Sequence, residues 1–158
     1  METLLRKAAL GLLLASGAPA YATARQESPG AFSQAEQANI DIVIDFYNAA
    51  INEKDADKAA GFLGDTFIEH NPMARDGAAG LRAFIGWLGA TFPDNQADIK
   101  LVVADGDLVV LQVYTRFSPE MRGNAMIEIF RLDGGKIVEH WDVVEDTPRR
   151  PANNNTIA

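Results

Sequence analysis

The sequence predicts an α+β fold: three N-terminal helices packed on a curved, mainly antiparallel sheet that forms a cone with a pocket. Three observations predict it. Apolar residues recur at helical spacing between residues 34 and 92. The period changes to two after Pro93. Asp-Gly and Gly-Gly turn signals then divide the remainder into strands, and helices followed by antiparallel strands make a layered α+β domain.

The chain has 158 residues, enough for one domain with a sizeable core but short for two. Its 22 acids against 14 bases give a net charge of −8, which provides no electrostatic footprint for nucleic acid. It has no cysteine, so disulfides, thiolate metal sites and cysteine nucleophiles are excluded.

Residues 1–22 read as a secretory signal peptide. Arg6 and Lys7 precede a short apolar run, AALGLLLA, and small residues follow with cleavage frames ending at Ala20 or Ala22. The run is too short to span a bilayer. The expected destination is periplasmic or secreted, and the mature form is expected to have no membrane span. Cleavage after Ala22 removes one acid (Glu2) and two bases (Arg6, Lys7), taking the charge from −8 to −9. Residues 23–32 read as a polar linker, 33–146 as the domain and 147–158 as a flexible Pro/Asn-rich tail.

Within the domain, Ser33 and Glu36 form a capping box, and Ile40, Val43, Ile44, Tyr47 and Ile51 follow on one helical face. The first helix is therefore expected over residues 34–52. Asp55 caps a shorter second helix through Phe62, which Gly64-Asp65 should break. Residues 66–70 read as a short strand stopped by Asn71-Pro72. Asp76-Gly77 opens a third helix, with Leu81, Phe84, Ile85 and Leu88 on one face, and Pro93 ends it. Strands are expected around Ile99 to Val103, then over 108–116, 125–132 and 136–144, with turns at Asp105-Gly106 and Gly134-Gly135.

The chain has two histidines, His70 and His140, each preceded by a glutamate and each on an expected strand. Strand alternation puts His140 and Asp142 on one face and Glu139 and Trp141 on the other, but leaves open which face is concave. A His/Asp pair around a dry cavity suits removal of a proton next to a carbonyl. His70, His140 and Asp142 could alternatively supply three metal ligands. Glu128 sits in an apolar strand, so it faces either solvent or a pocket. Tyr47, Phe46, Phe84, Trp87 and Phe130 read as core or pocket wall.

The stretches FYNAAINEKD (46–55), FIEHNP (67–72) and IFRLDGGKIVEHWD (129–142) resemble the SnoaL-like polyketide cyclase group of the nuclear transport factor 2-like superfamily. The likeness covers residues 35–146. It implies an α+β cone that dimerises through its sheet and closes a ring by aldol condensation without metal or cofactor. An aspartate serves as acid/base there, and Asp142 lies nearest that motif. His70 and His140 would accompany it, and Tyr47, Asn71, Trp87, Glu128, Phe130 and Trp141 would contact substrate. The expected ligand is a small apolar or carbonyl-bearing molecule. The competing expectation is a non-catalytic ligand-binding or dimerisation module.

Overall fold

The computed structural model describes residues 32–158. The expected signal peptide and most of the linker lie outside the described residues. Helix α1 spans Gln34–Tyr47, and α2 spans Ala56–Ala60. Strand β1 is Leu63–Glu69, helix α3 is Gly77–Thr91, and strands β2 (Gln96–Asp105), β3 (Leu108–Arg116), β4 (Asn124–Asp133) and β5 (Lys136–Asp146) complete the order. Helices and a five-stranded sheet make the α+β fold that the sequence predicts.

The start of α1 follows its sequence signature. Ser33 Oγ accepts from the Glu36 amide at 3.2 Å, and the Glu36 carboxylate accepts from the Ser33 amide at 2.8 Å. The expected single helix over 34–52 instead changes pitch after Tyr47. Asn48–Glu53 forms a π-helical segment that Lys54 closes with a left-handed φ of 56°. Tyr47, Ala50 and Ile51, at i, i+3 and i+4, share the wall of an interior cavity.

Strand β1 starts at Leu63, where the sequence suggested a break at Gly64-Asp65. Leu63 pairs with Ile137 of β5. A Cβ on Gly64 would stand 3.0 Å from Val138 Cγ1, so glycine here serves close strand approach rather than a turn. The strand ends at Glu69, one residue short of the expected His70.

The sheet order is β1-β5-β4-β3-β2, with β1 parallel to β5 and every other pairing antiparallel. Gly134 and Gly135 both have positive φ, as a two-residue type I′ hairpin turn between β4 and β5 requires. One sheet face carries Val109, Leu111, Val113, Phe130 and Ile137, which pack with Val43, Phe46 and Ile85 of the helices. Burying each such side chain contributes about 1.5–3 kcal/mol. The opposite face has no helix against it among the described residues. After β5, the tail is tethered by the Thr147 amide to Gly123 O (3.1 Å) and by Arg122 to Pro148 O (2.9 Å). Among the described residues, no helix is long and apolar enough to cross a membrane.

Candidate active site

A cavity of about 100 Å3 lies between the helices and the covered sheet face. Its wall is mostly apolar, with Phe46, Leu81, Phe84 and Met126 contributing. Polar groups converge on it from β1, β4 and β5.

The strand register explains their placement. Glu69 pairs with His140 and Ile68 with Glu139, so the two Glu-His dipeptides lie one residue out of step. In β1 the glutamate faces inward; in β5 the histidine does. Two reciprocal pairs result, one on each side of the sheet. Inside, His140 Nδ1 lies 2.9 Å from Glu69 Oε1. Outside, His70 Nε2 lies 2.9 Å from Glu139 Oε1.

The inner pair extends into a chain. His140 Nε2 lies 2.8 Å from Glu128 Oε2, and the Tyr47 hydroxyl donates to Glu128 Oε1 at 2.9 Å. The His140 ring stacks on Phe130 at 4.7 Å. The Asn71 amide donates to Glu69 Oε1, and the Glu69 amide donates to Asp76 Oδ1 at 2.8 Å. Asp76 thus anchors the end of β1 instead of capping α3 with its side chain.

With a carboxylate at each ring nitrogen, His140 donates from both and is an imidazolium. Burial opposes its charge, but the hydrogen bonds and charges of Glu128 and Glu69 outweigh that cost and push its pKa up to about 10. Tyr47 is held neutral: burial, then the negative charge of Glu128, raises its pKa well above the usual phenol value.

Asp142 pairs with Glu128 in the sheet register and also lines the cavity. Asn71 Nδ2 donates to its Oδ2 at 2.8 Å. Among the described residues, this is the one hydrogen bond that reaches its side chain. A carboxylate with one oxygen uncommitted, beside an apolar cavity, has the chemistry of a proton acceptor. His140, already protonated and committed at both nitrogens, cannot take a proton near neutrality.

The cavity therefore brings together Asp142, His140, Tyr47, Asn71, Glu128 and Phe130 from the sequence-derived candidates. It leaves out three. His70 and Trp141 lie on the opposite sheet face, their rings stacked at 4.7 Å and 5°. Alternation forces this, since their neighbours Glu69, His140 and Asp142 point inward. It also separates His70 from His140 and Asp142, so the three cannot converge on one metal. Trp87 is half exposed on α3, against Phe84 and Phe92 and outside the cavity wall. Glu128 is buried, which decides between the solvent and pocket alternatives.

Sequence reasoning missed Glu69 and Asn95. Strand alternation puts Glu69 and His70 on opposite faces, but which of them faces the cavity is set by the register of β1 on β5. Asn95 precedes β2 in an irregular segment and carries no periodic signal.

Solved structures share this fold. A protein from Jannaschia sp. CCS1, provisionally assigned as a SnoaL-like polyketide cyclase, matches with a TM-score of 0.63 and 20% identity over 73% of this chain and 91% of its own. TsrD from Streptomyces laurentii gives 0.59 and 23% over 73% and 92%. An NTF2-like protein of unknown function from Burkholderia xenovorans LB400 gives 0.63 and 15% over 76% and 92%. Among curated proteins none matches the chain. The profile of the SnoaL-like domain matches residues 43–140, from the middle of α1 to the histidine inside the cavity. The chain belongs to the SnoaL-like domain family.

Proposed function

We propose that the cavity binds a small, largely apolar molecule bearing a carbonyl group, and that Asp142 moves a proton on it. The Asp142 carboxylate removes a proton from the carbon next to the carbonyl, and the C–H electrons form an enolate. The enolate carbon then bonds to a second carbonyl carbon of the same molecule, whose oxygen recovers the proton from Asp142. The product is an isomer of the substrate, and the sequence requires no redox partner or cofactor. Asn71 orients Asp142, while Glu69, His140, Glu128 and Tyr47 hold one another. His70 has no part in this scheme.

The observation that carries the reading is the uncommitted Asp142 oxygen beside an apolar cavity whose other charged groups are mutually paired. The test uses 6-hydroxy-2-acetylnaphthalene in D2O, with methyl-group deuteration followed by NMR. Wild-type protein should accelerate exchange, and Asp142→Asn should abolish the acceleration while binding persists. Binding without acceleration by the wild type removes the catalytic reading and leaves a ligand-binding module. The mostly apolar wall is the observation favouring that alternative.

We also infer that the protein pairs with a second copy through its uncovered sheet face. Leu101, Gln112, Ile127 and Val143 form one row across β2 to β5 in register, and Leu101, Ile127 and Val143 are exposed. Light scattering should give a dimer mass, and Val143→Lys should reduce it to the monomer; a monomeric wild type overturns the inference. Residues 1–22 are assigned as an export signal. Exported protein should begin at Tyr21 or Thr23, and a retained Met1 would contradict this.

A further inference from the structure

The end of the cavity remote from Asp142 holds a polar residue that the proton-transfer scheme does not use. Asn95 is 1% exposed and lines the cavity. Its amide is fixed from several sides. Nδ2 donates to Thr115 Oγ1 at 3.1 Å and to Arg116 O at 3.0 Å. The backbone amide donates to Phe92 O at 3.0 Å, and Lys54 Nζ donates to the backbone carbonyl at 2.9 Å. Turning the side-chain amide over would set its oxygen against the Arg116 carbonyl, so the orientation is determined. The remaining atom, Oδ1, is buried and has no hydrogen-bond partner.

A buried acceptor left unpaired costs free energy, and Oδ1 can be satisfied only by a donor. The protein supplies none, and the cavity wall that Asn95 helps to line is mostly apolar. We propose that Asn95 Oδ1 is a second ligand contact that selects molecules carrying a hydroxyl or N–H group at the end remote from the reacting carbonyl. The inference rests on the ligand-binding reading above and extends it to the chemistry of the ligand.

The register also fixes the spacing. Asp142 lies in the row of Glu128 and Leu111, while Thr115, which holds Asn95, pairs with Asn124. Thr115 is four residues from Leu111 along β3, so the rows lie roughly 13 Å apart at ~3.3 Å per residue. Between them the inner face presents Val113 and Met126. A ligand that spans both ends therefore has an apolar body between a carbonyl and a distal donor. An ether or ketone at the distal end would leave acceptor facing acceptor.

The test compares 6-hydroxy-2-acetylnaphthalene with 6-methoxy-2-acetylnaphthalene, which differ in the ability to donate at the end opposite the carbonyl. Wild-type protein, titrated by fluorescence or calorimetry, should bind the hydroxy compound about tenfold more tightly. A crystal of the complex should place the probe hydroxyl within hydrogen-bond distance of Asn95 Oδ1. Asn95→Leu should equalise the two affinities; if that variant does not fold, the wild-type ratio and the crystal decide alone. Equal affinities in the wild type, or a bound probe whose hydroxyl lies away from Oδ1, overturn the subsite while the ligand-binding reading stands. No binding of either probe up to its solubility limit overturns both.

Discussion

Replacing His140 with phenylalanine tests the electrostatic core of the site. Phenylalanine keeps a flat ring that can stack on Phe130, but it removes both N–H donors. Glu69 and Glu128 would then face the site without a counter-charge, which costs about 3–5 kcal/mol at neutral pH. The pH profile is more diagnostic than this loss. The folded-state pKa of His140 is about 10, against about 6.5 for the unfolded chain. Because the folded value is raised, its stabilisation is fully present below about 6.5 and is lost as pH rises towards 10. Between those values the folded state holds one more proton than the unfolded state. Stability should therefore fall by about 1.4 kcal/mol per pH unit, or about 3 kcal/mol from pH 7 to 9. His140→Phe should lack this decline, so the gap between the two proteins narrows by that amount. Urea unfolding followed by the fluorescence of Trp87 and Trp141 at pH 7, 8 and 9 measures it. A gap that stays constant over this range refutes a paired imidazolium at His140.

Three further outcomes follow from the geometry. Tyr47→Phe should leave Glu128 Oε1 without its donor and cost about 1–3 kcal/mol in urea unfolding, with no change in fold by circular dichroism. Gly80→Ala should destabilise by about 1–3 kcal/mol, because the added Cβ would stand 2.0 Å from the Arg75 carbonyl oxygen; calorimetry should show a lowered Tm. His70→Ala should leave probe affinity unchanged, since the ring lies across the sheet from the cavity. Its half-exposed pairing with Glu139 is screened by solvent, so the urea midpoint should barely move.

The separation of His70 from His140 shows where sequence reasoning reached its limit. Alternation correctly assigned His140 and Asp142 to one face of β5 and Trp141 to the other. The relation between the two histidines needed the register of β1 against β5, strands about seventy residues apart in the chain. A shift of one residue would have placed His70 inside and Glu69 outside. That register is set by Leu63 against Ile137 and by the irregularity before Ile68, which no local pattern announces. Glu128 illustrates the same limit: a lone acid in an apolar strand is ambiguous until a Tyr47 hydroxyl and a His140 ring are seen to meet it.

The sequence by itself determined the elements and their order. The capping box, the helical spacing, the change to period two and the turn glycines are local properties of neighbouring residues, and their energetics are decided within a few positions. Tertiary structure alone decided which sheet face closes over the cavity, which carboxylates neutralise His140, and that Asn95 holds an unpaired acceptor at the far end. Those depend on groups distant in the chain becoming close in space. The free energy of a buried charge or an unsatisfied oxygen is fixed by whatever lies within a few ångströms, and only the folded chain specifies that.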